Sequence, residues 1–379
     1  MNMTITPAVL KGTVTAPPSK SYTHRALICA ALSEKPCRII NIGGGEDVFA
    51  TLECIESFKN GAKAYNCRES GTTLRFFVPL SLLIGGGRFT GSPRLMERGI
   101  SEYERVLPEH GISVKKTADS ISVSGKLTAG EYVLKGDVSS QFISGLLLAL
   151  PTLDGDSVIR VLPPVESRAY IDMTLSVMRD FGVNVYENEK NVFRIKGNQS
   201  YFRGEYTVEG DWSNAAPFYA LKFLGHDIEL SGLSENSIQP DRICLNYFER
   251  LKNGNVTLDV SGCPDLAPVL MAFAAMNCGG TLTGTRRLRL KESDRAQAMA
   301  SELTKYGCHI TVNDNSVDII KSKLHAPTEI LSSHNDHRIA MALVLPCLRY
   351  GGTIGGAESV NKSFGDYFRI IEELKNDRI

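Results

Sequence analysis

Short clusters of basic and hydroxyl side chains recur along the sequence, each at the start of an apolar run. Their spacing places them in the first turn of a helix, where unpaired backbone N–H groups and about half a positive charge attract anions. Lys and Arg add full charges, and Ser and Thr add hydrogen-bond donors. We therefore expect a site for several anionic groups. The residues concerned are Lys20, Ser21, Arg25, Thr72, Arg75, Ser139, Ser140, Gln141, Asp265, His337 and Arg338.

The apolar runs that follow these clusters are predicted to be buried helices. Each has a Ser, Thr, Asp or Asn near its start, the residue types that cap a helix by accepting hydrogen bonds from its first N–H groups. Beyond the first turn each is apolar on nearly every side, and such a helix has to be buried. The six segments are 18–33, 70–86, 139–153, 212–225, 264–280 and 335–352.

A second pattern alternates with these helices and indicates an internal repeat. It consists of a small-residue turn, a short β-rich run, a loop and an amphipathic helix. In the fifth copy Ala296, Met299, Ala300 and Leu303 fall at helical spacing, with charged residues on the other face. The copies are 36–59, 87–110, 155–181, 225–251, 280–306 and 352–374.

The lengths of the copies predict two α/β domains of three units each. After the amphipathic helix, the first and fourth copies have room for only one strand, at 62–67 and 256–261. Segment 5–14 is expected to supply the strand that the sixth copy lacks. The predicted domains are therefore 15–209 and 1–14 plus 210–379, each with strands enclosing inner helices and a shortened first repeat.

Composition and charge exclude several classes of protein. Forty-two basic residues balance 42 acidic ones, which gives no support to a broad nucleic-acid footprint. No apolar run is long enough to span a membrane, and no secretion signal is apparent. Nine cysteines lie singly without a CxxC pair, so we expect neither a disulfide framework nor a metal site, and a reducing cytoplasm.

Three motifs resemble the 5-enolpyruvylshikimate-3-phosphate synthases, a family of the enolpyruvyl transferase superfamily. They are PSKSYTHRAL at the first inner helix, SSQF at the third and RLKESDR at the fifth amphipathic helix. The resemblance runs over essentially the whole chain. It implies a two-domain inside-out α/β barrel in which each domain has three βαβαββ units, and it suggests a monomer.

The family implies roles for individual residues. For shikimate-3-phosphate they are Lys20, Ser21, Arg25, Ser139, Ser140, Gln141, Ser167, Tyr170, Asp265 and Lys291. For phosphoenolpyruvate they are Lys20, Gly71, Arg94, Gln141, Arg295, Arg338 and Lys362, with Asp336 and His337 as further candidates.

The reaction that the family implies is an addition followed by an elimination. The acceptor hydroxyl attacks C2 of phosphoenolpyruvate while C3 is protonated, and loss of phosphate then restores the double bond. This chemistry requires an acid and a base that exchange roles, and no cofactor or metal. Asp265 is the candidate base on the hydroxyl, and Glu292, together with Lys20, is the candidate for proton transfer at C3.

Two alternatives stand beside this interpretation. The sister transferases acting on UDP-N-acetylglucosamine typically have Lys-Asn where this chain has Lys20-Ser21, and a reactive cysteine in a Gly-rich loop. No such loop occurs in this sequence. The second alternative is an inactive anion-binding homologue, against which the ordered set of proton-transfer groups argues.

Overall fold

The computed structural model describes residues 1–376, which divide into two compact units. Unit I is Pro18–Glu209, and unit II is Met1–Pro17 together with the chain from Gly210 onward. The polypeptide chain crosses from unit II to unit I after Pro17, three residues beyond the position expected from the sequence. It returns to unit II after Glu209. Unit II therefore receives its first strands from the N-terminal segment.

The helices of the described residues alternate between buried and amphipathic ones. They are α1 (Lys20–Ala31), α2 (Glu46–Lys59), α3 (Gly71–Ser81), α4 (Pro93–Arg98), α5 (Ser101–Val106), α6 (Ser140–Ala149), α7 (Arg168–Asp180), α8 (Trp212–Phe223), α9 (Cys244–Asn253), α10 (Ala267–Met276), α11 (Arg295–Thr304), α12 (His337–Tyr350) and α13 (Tyr367–Asn376). The six predicted inner helices are confirmed as α1, α3, α6, α8, α10 and α12.

The strands are short, and most lie at the positions that the repeat predicts. They are β1 (Asn2–Ile5), β2 (Lys11–Thr15), β3 (Arg38–Ile40), β4 (Ala64–Asn66), β5 (Gly86–Thr90), β6 (Ser113–Lys116), β7 (Ser120–Ser124), β8 (Glu131–Lys135), β9 (Ser157–Leu162), β10 (Val185–Glu189), β11 (Val192–Ile195), β12 (Glu205–Thr207), β13 (Asp227–Ser231), β14 (Thr257–Asp259), β15 (Gly279–Thr283), β16 (His309–Val312), β17 (Ser316–Ile320), β18 (Leu331–Ser332) and β19 (Gly352–Gly355).

Each unit contains three sheets, and the pairing pattern repeats between them. Unit I has the orders β4-β5-β7-β6, β8-β9-β11-β10 and β12-β3, and unit II has β13-β2, β14-β15-β17-β16 and β1-β19-β18. In every four-stranded sheet one parallel pair is followed by two antiparallel pairs. The predicted α/β architecture of three repeats per unit is thereby confirmed.

The N-terminal segment forms two strands rather than the single strand expected from residues 5–14. Strand β1 pairs antiparallel with β19 of the sixth copy, with Asn2 opposite Gly355. Strand β2 pairs parallel with β13 of the fourth copy, with Lys11 opposite Asp227. The chain turns between the two strands, and β2 completes the two-stranded sheet of the shortened fourth repeat.

The inner helices form the cores of the units because their side chains are apolar all round. Every residue of α10 from Ala267 to Ala275 is buried. The amphipathic helices cover the outside, and in α11 the predicted inward residues Ala296, Met299, Ala300 and Leu303 are all buried. Burying one Leu or Phe side chain stabilises the fold by roughly 1.5–3 kcal/mol, so polar residues are confined mainly to the ends of the inner helices.

Candidate active site

In unit I, Lys20 opens α1 and forms an ion pair with Asp47 near the start of α2. The Lys20 Nζ lies 2.8 Å from Asp47 Oδ2, and the side chains are only 14% and 11% exposed. A partly buried ammonium that loses its carboxylate partner would pay a desolvation cost. Asp47 therefore holds the Lys20 ammonium at the start of its helix, a role that the sequence motif did not reveal.

Arg25 lies one turn further along α1 and ties this helix to α7. Its Nη1 donates to the carbonyl of Ser21 at 2.6 Å, and its Nη2 to the carbonyl of Tyr170 at 3.0 Å. Its Nε donates to Thr174 Oγ1 at 2.8 Å. Burial lowers the pKa of Arg25 to about 10, so the guanidinium still carries its charge at neutral pH.

Ser167 lies directly before α7 and close in sequence to Tyr170. It is buried and has the left-handed backbone conformation, with φ of 55°. The Arg25 contact with the Tyr170 carbonyl joins this helix start to that of α1. Unit I thus brings together four of the residues predicted to bind the acceptor phosphate: Ser21, Arg25, Ser167 and Tyr170.

Gln141 connects the starts of α3 and α6. Its Oε1 accepts from Arg75 Nη1 at 2.6 Å, and its Nε2 donates to Thr72 Oγ1 at 2.8 Å. Ser139 caps α6 by accepting from the Gln141 backbone N–H at 3.3 Å, and Ser140 is the first residue of the helix. Two helix N-termini, each favourable for an anion, are therefore held together by a neutral amide and one arginine.

The cations beside Gly71, at the start of α3, are Arg98 and Arg75. A methyl group on Gly71 would lie 2.9 Å from Arg98 Nη2 and 3.1 Å from Arg75 Nη1, so any larger residue would push these guanidinium groups aside. Arg94, the residue expected from the motif, binds the Glu97 carboxylate at 2.8 Å, and its role stays a prediction.

Arg94 and Arg98 lie in the same short helix α4, four residues apart. The helix ends at a turn at Gly99, whose φ is 55° and whose carbonyl accepts from Arg75 Nη2 at 3.3 Å. Arg98 is therefore a further candidate, beside Arg94, that sequence reasoning missed.

In unit II, Arg295 is the centre of a cluster of carboxylates. Its side chain is 1% exposed and contacts three of them. Nε lies 2.8 Å from Asp336 Oδ2, Nη1 lies 2.8 Å from Asp265 Oδ1, and Nη2 lies 2.9 Å from Glu292 Oε2. Arg295 of the KESDR string thus contacts Glu292 of the same string, and also Asp265 and Asp336, which lie at the starts of two inner helices.

Asp265 remains ionised within this cluster. Burial alone would raise its pKa, but the positive charges of Lys291, Arg295 and Arg338 hold the pKa well below the usual range. Lys291 Nζ lies 3.5 Å from Asp265 Oδ1, and burial lowers the pKa of this ammonium to about 8. The cluster therefore contains an ionised carboxylate beside an ammonium able to release a proton.

Asp336 caps α12 and orients Arg338. Its Oδ1 accepts from the Arg338 backbone N–H at 2.9 Å, while its Oδ2 binds Arg295. The Arg338 guanidinium donates to Asn214 Oδ1 at 2.9 Å and lies 3.4 Å from Asp265 Oδ2. Lys362 Nζ donates to the Asn335 carbonyl at 2.5 Å, which places it beside the same helix start. His337, the first residue of α12, is buried.

Asp241 is a further buried carboxyl group in this region, and no sequence pattern pointed to it. It is 1% exposed and accepts a hydrogen bond from the Ser213 hydroxyl. Burial, followed by repulsion from Asp265, raises its pKa to about 7. It lies in a 3₁₀ turn, Pro240–Ile243, whose sequence resembles an ordinary polar loop.

The EPSP synthase (3-phosphoshikimate 1-carboxyvinyltransferase) family model matches this chain at residues 5–64 and 54–371. The chain belongs to this family. Two relatives, both named 3-phosphoshikimate 1-carboxyvinyltransferase, come from Clostridium kluyveri and Clostridium beijerinckii. They are 37% and 38% identical, and each match covers 98% of this chain and 97% of the relative. The family predicted from the KSYTHR, SSQF and KESDR motifs is confirmed.

Solved structures of the family share the fold. An EPSP synthase from Acinetobacter baumannii has a TM-score of 0.79 at 24% identity, covering 99% of this chain and 98% of that one. The enolpyruvyl transferase NikO from Streptomyces tendae has a TM-score of 0.73 at 16% identity, covering 98% and 97%. The α/β fold expected from the family resemblance is confirmed by this likeness.

None of the helices in residues 1–376 is long and apolar enough to cross a membrane. No group of three or more His, Cys, Asp or Glu side chains among these residues is arranged to hold a metal ion.

Proposed function

We propose that this protein transfers the enolpyruvyl group of phosphoenolpyruvate to the 5-hydroxyl of shikimate-3-phosphate and releases phosphate. The observation that carries the proposal is the unit II cluster, where an ionised Asp265 and the Glu292 carboxylate lie on the same buried guanidinium. Addition followed by elimination needs proton acceptors and donors beside cations that hold a phosphorylated acid. This arrangement supplies both.

The acceptor phosphate is assigned to unit I. Ser21, Arg25, Ser139, Ser140 and Tyr170 lie at the starts of α1, α6 and α7, where backbone N–H groups, hydroxyls and a buried arginine favour a phosphate ester. The resemblance adds Lys20, Gln141 and Ser167 to this set, and Asp265 and Lys291 from unit II.

Asp265 is the proposed base on the acceptor hydroxyl. Its pKa lies well below the usual range, so it is unprotonated at neutral pH. Glu292 is the proposed group that delivers and removes the proton at C3, with Lys20 as the other candidate. The carboxylate of Glu292 and that of Asp265 are held by different nitrogens of Arg295, so the two can act at different atoms of a bound substrate.

Phosphoenolpyruvate is assigned to Arg94, Arg295, Arg338 and Lys362, together with Lys20, Gln141 and the start of α3 at Gly71. Arginines form paired hydrogen bonds with carboxylate and phosphate groups, and the inner-helix starts supply further donors. Arg98 is added to this set because its guanidinium lies beside Gly71.

We also propose that the enzyme works in the cytoplasm as a monomer. The location is supported by the nine cysteines, which are free in the structure. The family suggests the monomeric state. Light scattering at working concentration would test it, and a mass twice that of the chain would refute it.

The proposal is tested by measuring phosphate release with each substrate alone and with both together. Release should require phosphoenolpyruvate and shikimate-3-phosphate, and UDP-N-acetylglucosamine should not replace the latter. A thermal-unfolding midpoint raised by shikimate-3-phosphate but not by UDP-N-acetylglucosamine would support the same choice. Release with the nucleotide sugar would refute the proposed acceptor, and no release with either would favour an inactive homologue.

A further inference from the structure

A buried chain of side-chain hydrogen bonds joins three helices of unit I. His24 Nδ1 lies 2.7 Å from Thr51 Oγ1, which lies 2.7 Å from Thr73 Oγ1. Thr73 Oγ1 in turn lies 2.7 Å from Ser70 Oγ. Each of the four side chains belongs to a residue at most 1% exposed. The chain thus runs from α1 through α2 to the residue that caps α3.

The direction of these hydrogen bonds follows from the number of protons available. Thr73 Oγ1 donates to Ser70 Oγ, and a hydroxyl has only one proton to give. Thr51 therefore donates to Thr73, and the Thr51 oxygen has to accept from His24. His24 is consequently the tautomer with its proton on Nδ1, and Nε2 carries the lone pair.

Nothing in the surroundings of His24 favours a charged ring. Nε2 is buried, and within the described part of the chain no hydrogen-bond partner reaches it. Burial, and then the charges of Lys20 and Arg25, hold the pKa of His24 well below its usual range. The neutral ring can therefore keep donating from Nδ1 throughout the neutral pH range.

This chain of hydrogen bonds lies one helical turn from the Lys20–Asp47 ion pair. Lys20 and His24 are four residues apart on α1, and Asp47 and Thr51 are four residues apart on α2, so each pair shares one helix face. The pairing of the two helices is therefore fixed at two successive levels, one ionic and one neutral.

The other end of the chain determines the start of α3. Ser70 Oγ accepts from the Thr73 backbone N–H at 3.1 Å, which is the capping bond of this helix. Gly71, beside the Arg98 and Arg75 guanidinium groups, follows immediately. A shift of Thr73 would therefore move both the cap and Gly71 next to it.

We propose that His24, Thr51 and Thr73 are positioning residues that hold the start of α3 in register with Lys20, so that both bind phosphoenolpyruvate. The assignment of that ligand rests on the proposed function. Four buried polar groups are costly unless each is satisfied, and apolar side chains of similar size would fill the same space without that cost. This chain of hydrogen bonds, which we call the relay, fixes the distance between the starts of α1 and α3. Apolar packing would leave that distance free to adjust.

The test compares Thr51→Val with Thr51→Ser. Valine has nearly the same shape but neither accepts from His24 nor donates to Thr73, whereas serine keeps the hydroxyl. Each lost hydrogen bond is worth about 1 kcal/mol, so Thr51→Val should raise the KM for phosphoenolpyruvate by roughly 10- to 30-fold. The KM for shikimate-3-phosphate should stay within about twofold, and Thr51→Ser should stay within about threefold in both. Equal effects of the two variants, or an equal rise in both KM values, would overturn the proposal.

A second measurement is made on the wild-type protein, and a variant serves only to assign its signals. In ¹⁵N-histidine-labelled protein, the His24 signals, assigned by their loss in His24→Asn, should show a neutral ring protonated on Nδ1 from pH 5.5 to 8. Protonation on Nε2, or titration near pH 6.5, would overturn the relay. If the wild-type protein does not consume phosphoenolpyruvate, the proposed function fails, while this spectrum still decides the relay.

Discussion

Replacing Arg98 should impair phosphoenolpyruvate binding far more than replacing Arg88, an arginine of unit I outside the proposed site. Arg98 Nη2 lies where a methyl group on Gly71 would be only 2.9 Å away, at the N-terminus of α3. A hydrogen bond to a charged group contributes about 1.5–3 kcal/mol, which corresponds to roughly 10- to 150-fold in affinity. Arg88 lies 3.7 Å from Asp119, which is 77% exposed, and surface pairs contribute about 0–1 kcal/mol, or at most about fivefold.

The assay is steady-state phosphate release with phosphoenolpyruvate varied at saturating shikimate-3-phosphate. Arg98→Ala should raise the KM for phosphoenolpyruvate by at least tenfold, and Arg88→Ala, the control on the exposed side of β5, should change it little. Thermal unfolding of both variants shows whether either has lost its fold. A larger effect of Arg88→Ala, or no effect of Arg98→Ala on this KM, would refute the reasoning from Gly71.

Further predictions concern the unit II cluster. Asp336→Ala leaves the buried Arg295 short of one carboxylate and removes the cap of α12, so urea unfolding should show a loss of about 3–5 kcal/mol; a loss below about 1 kcal/mol would contradict this. The pKa of Asp241 is raised to about 7 in the folded protein, so between about pH 4 and 7 only the unfolded chain releases this proton. The free energy of unfolding therefore falls as the pH rises through this range. Relative to wild type, the free energy of unfolding of Asp241→Asn should therefore rise by on the order of 3 kcal/mol between pH 5 and 7. Parallel curves of unfolding free energy against pH for the two proteins would argue against this. Glu292→Gln should bind both substrates but lose most turnover, and a near-native kcat would exclude it from proton transfer. Arg338→Ala should chiefly raise the KM for phosphoenolpyruvate, and an unchanged KM would count against its role.

The repeat architecture could be predicted because its signal is local. In α10 an uninterrupted run of apolar residues leaves no face for solvent, and in α11 the spacing of Ala296, Met299 and Leu303 defines one buried face. The pairing partners of the N-terminal strands could not be predicted in this way. The pairing of Asn2 with Gly355 joins residues from opposite ends of the sequence, and no local pattern identifies such a partner.

The site could be predicted to the level of residue types at helix starts, and less well at the level of geometry. The KESDR motif placed Glu292 three residues before Arg295, and the contact between them forms locally in the bend before α11. Arg98 was missed because its approach to Gly71 depends on the turn at Gly99, which is a tertiary feature. Asp241 was missed for a related reason, because its burial beneath Ser213 depends on how a loop packs against the start of α8.

The most direct test of enolpyruvyl transfer by addition and elimination is to run the reaction in D₂O and analyse the product by mass spectrometry and proton NMR. The account predicts a vinyl ether of shikimate-3-phosphate with deuterium at the terminal vinyl carbon, because C3 passes through a methyl group. Formation of that product without deuterium would contradict the addition–elimination route. The absence of any vinyl ether while phosphate is released would contradict enolpyruvyl transfer itself.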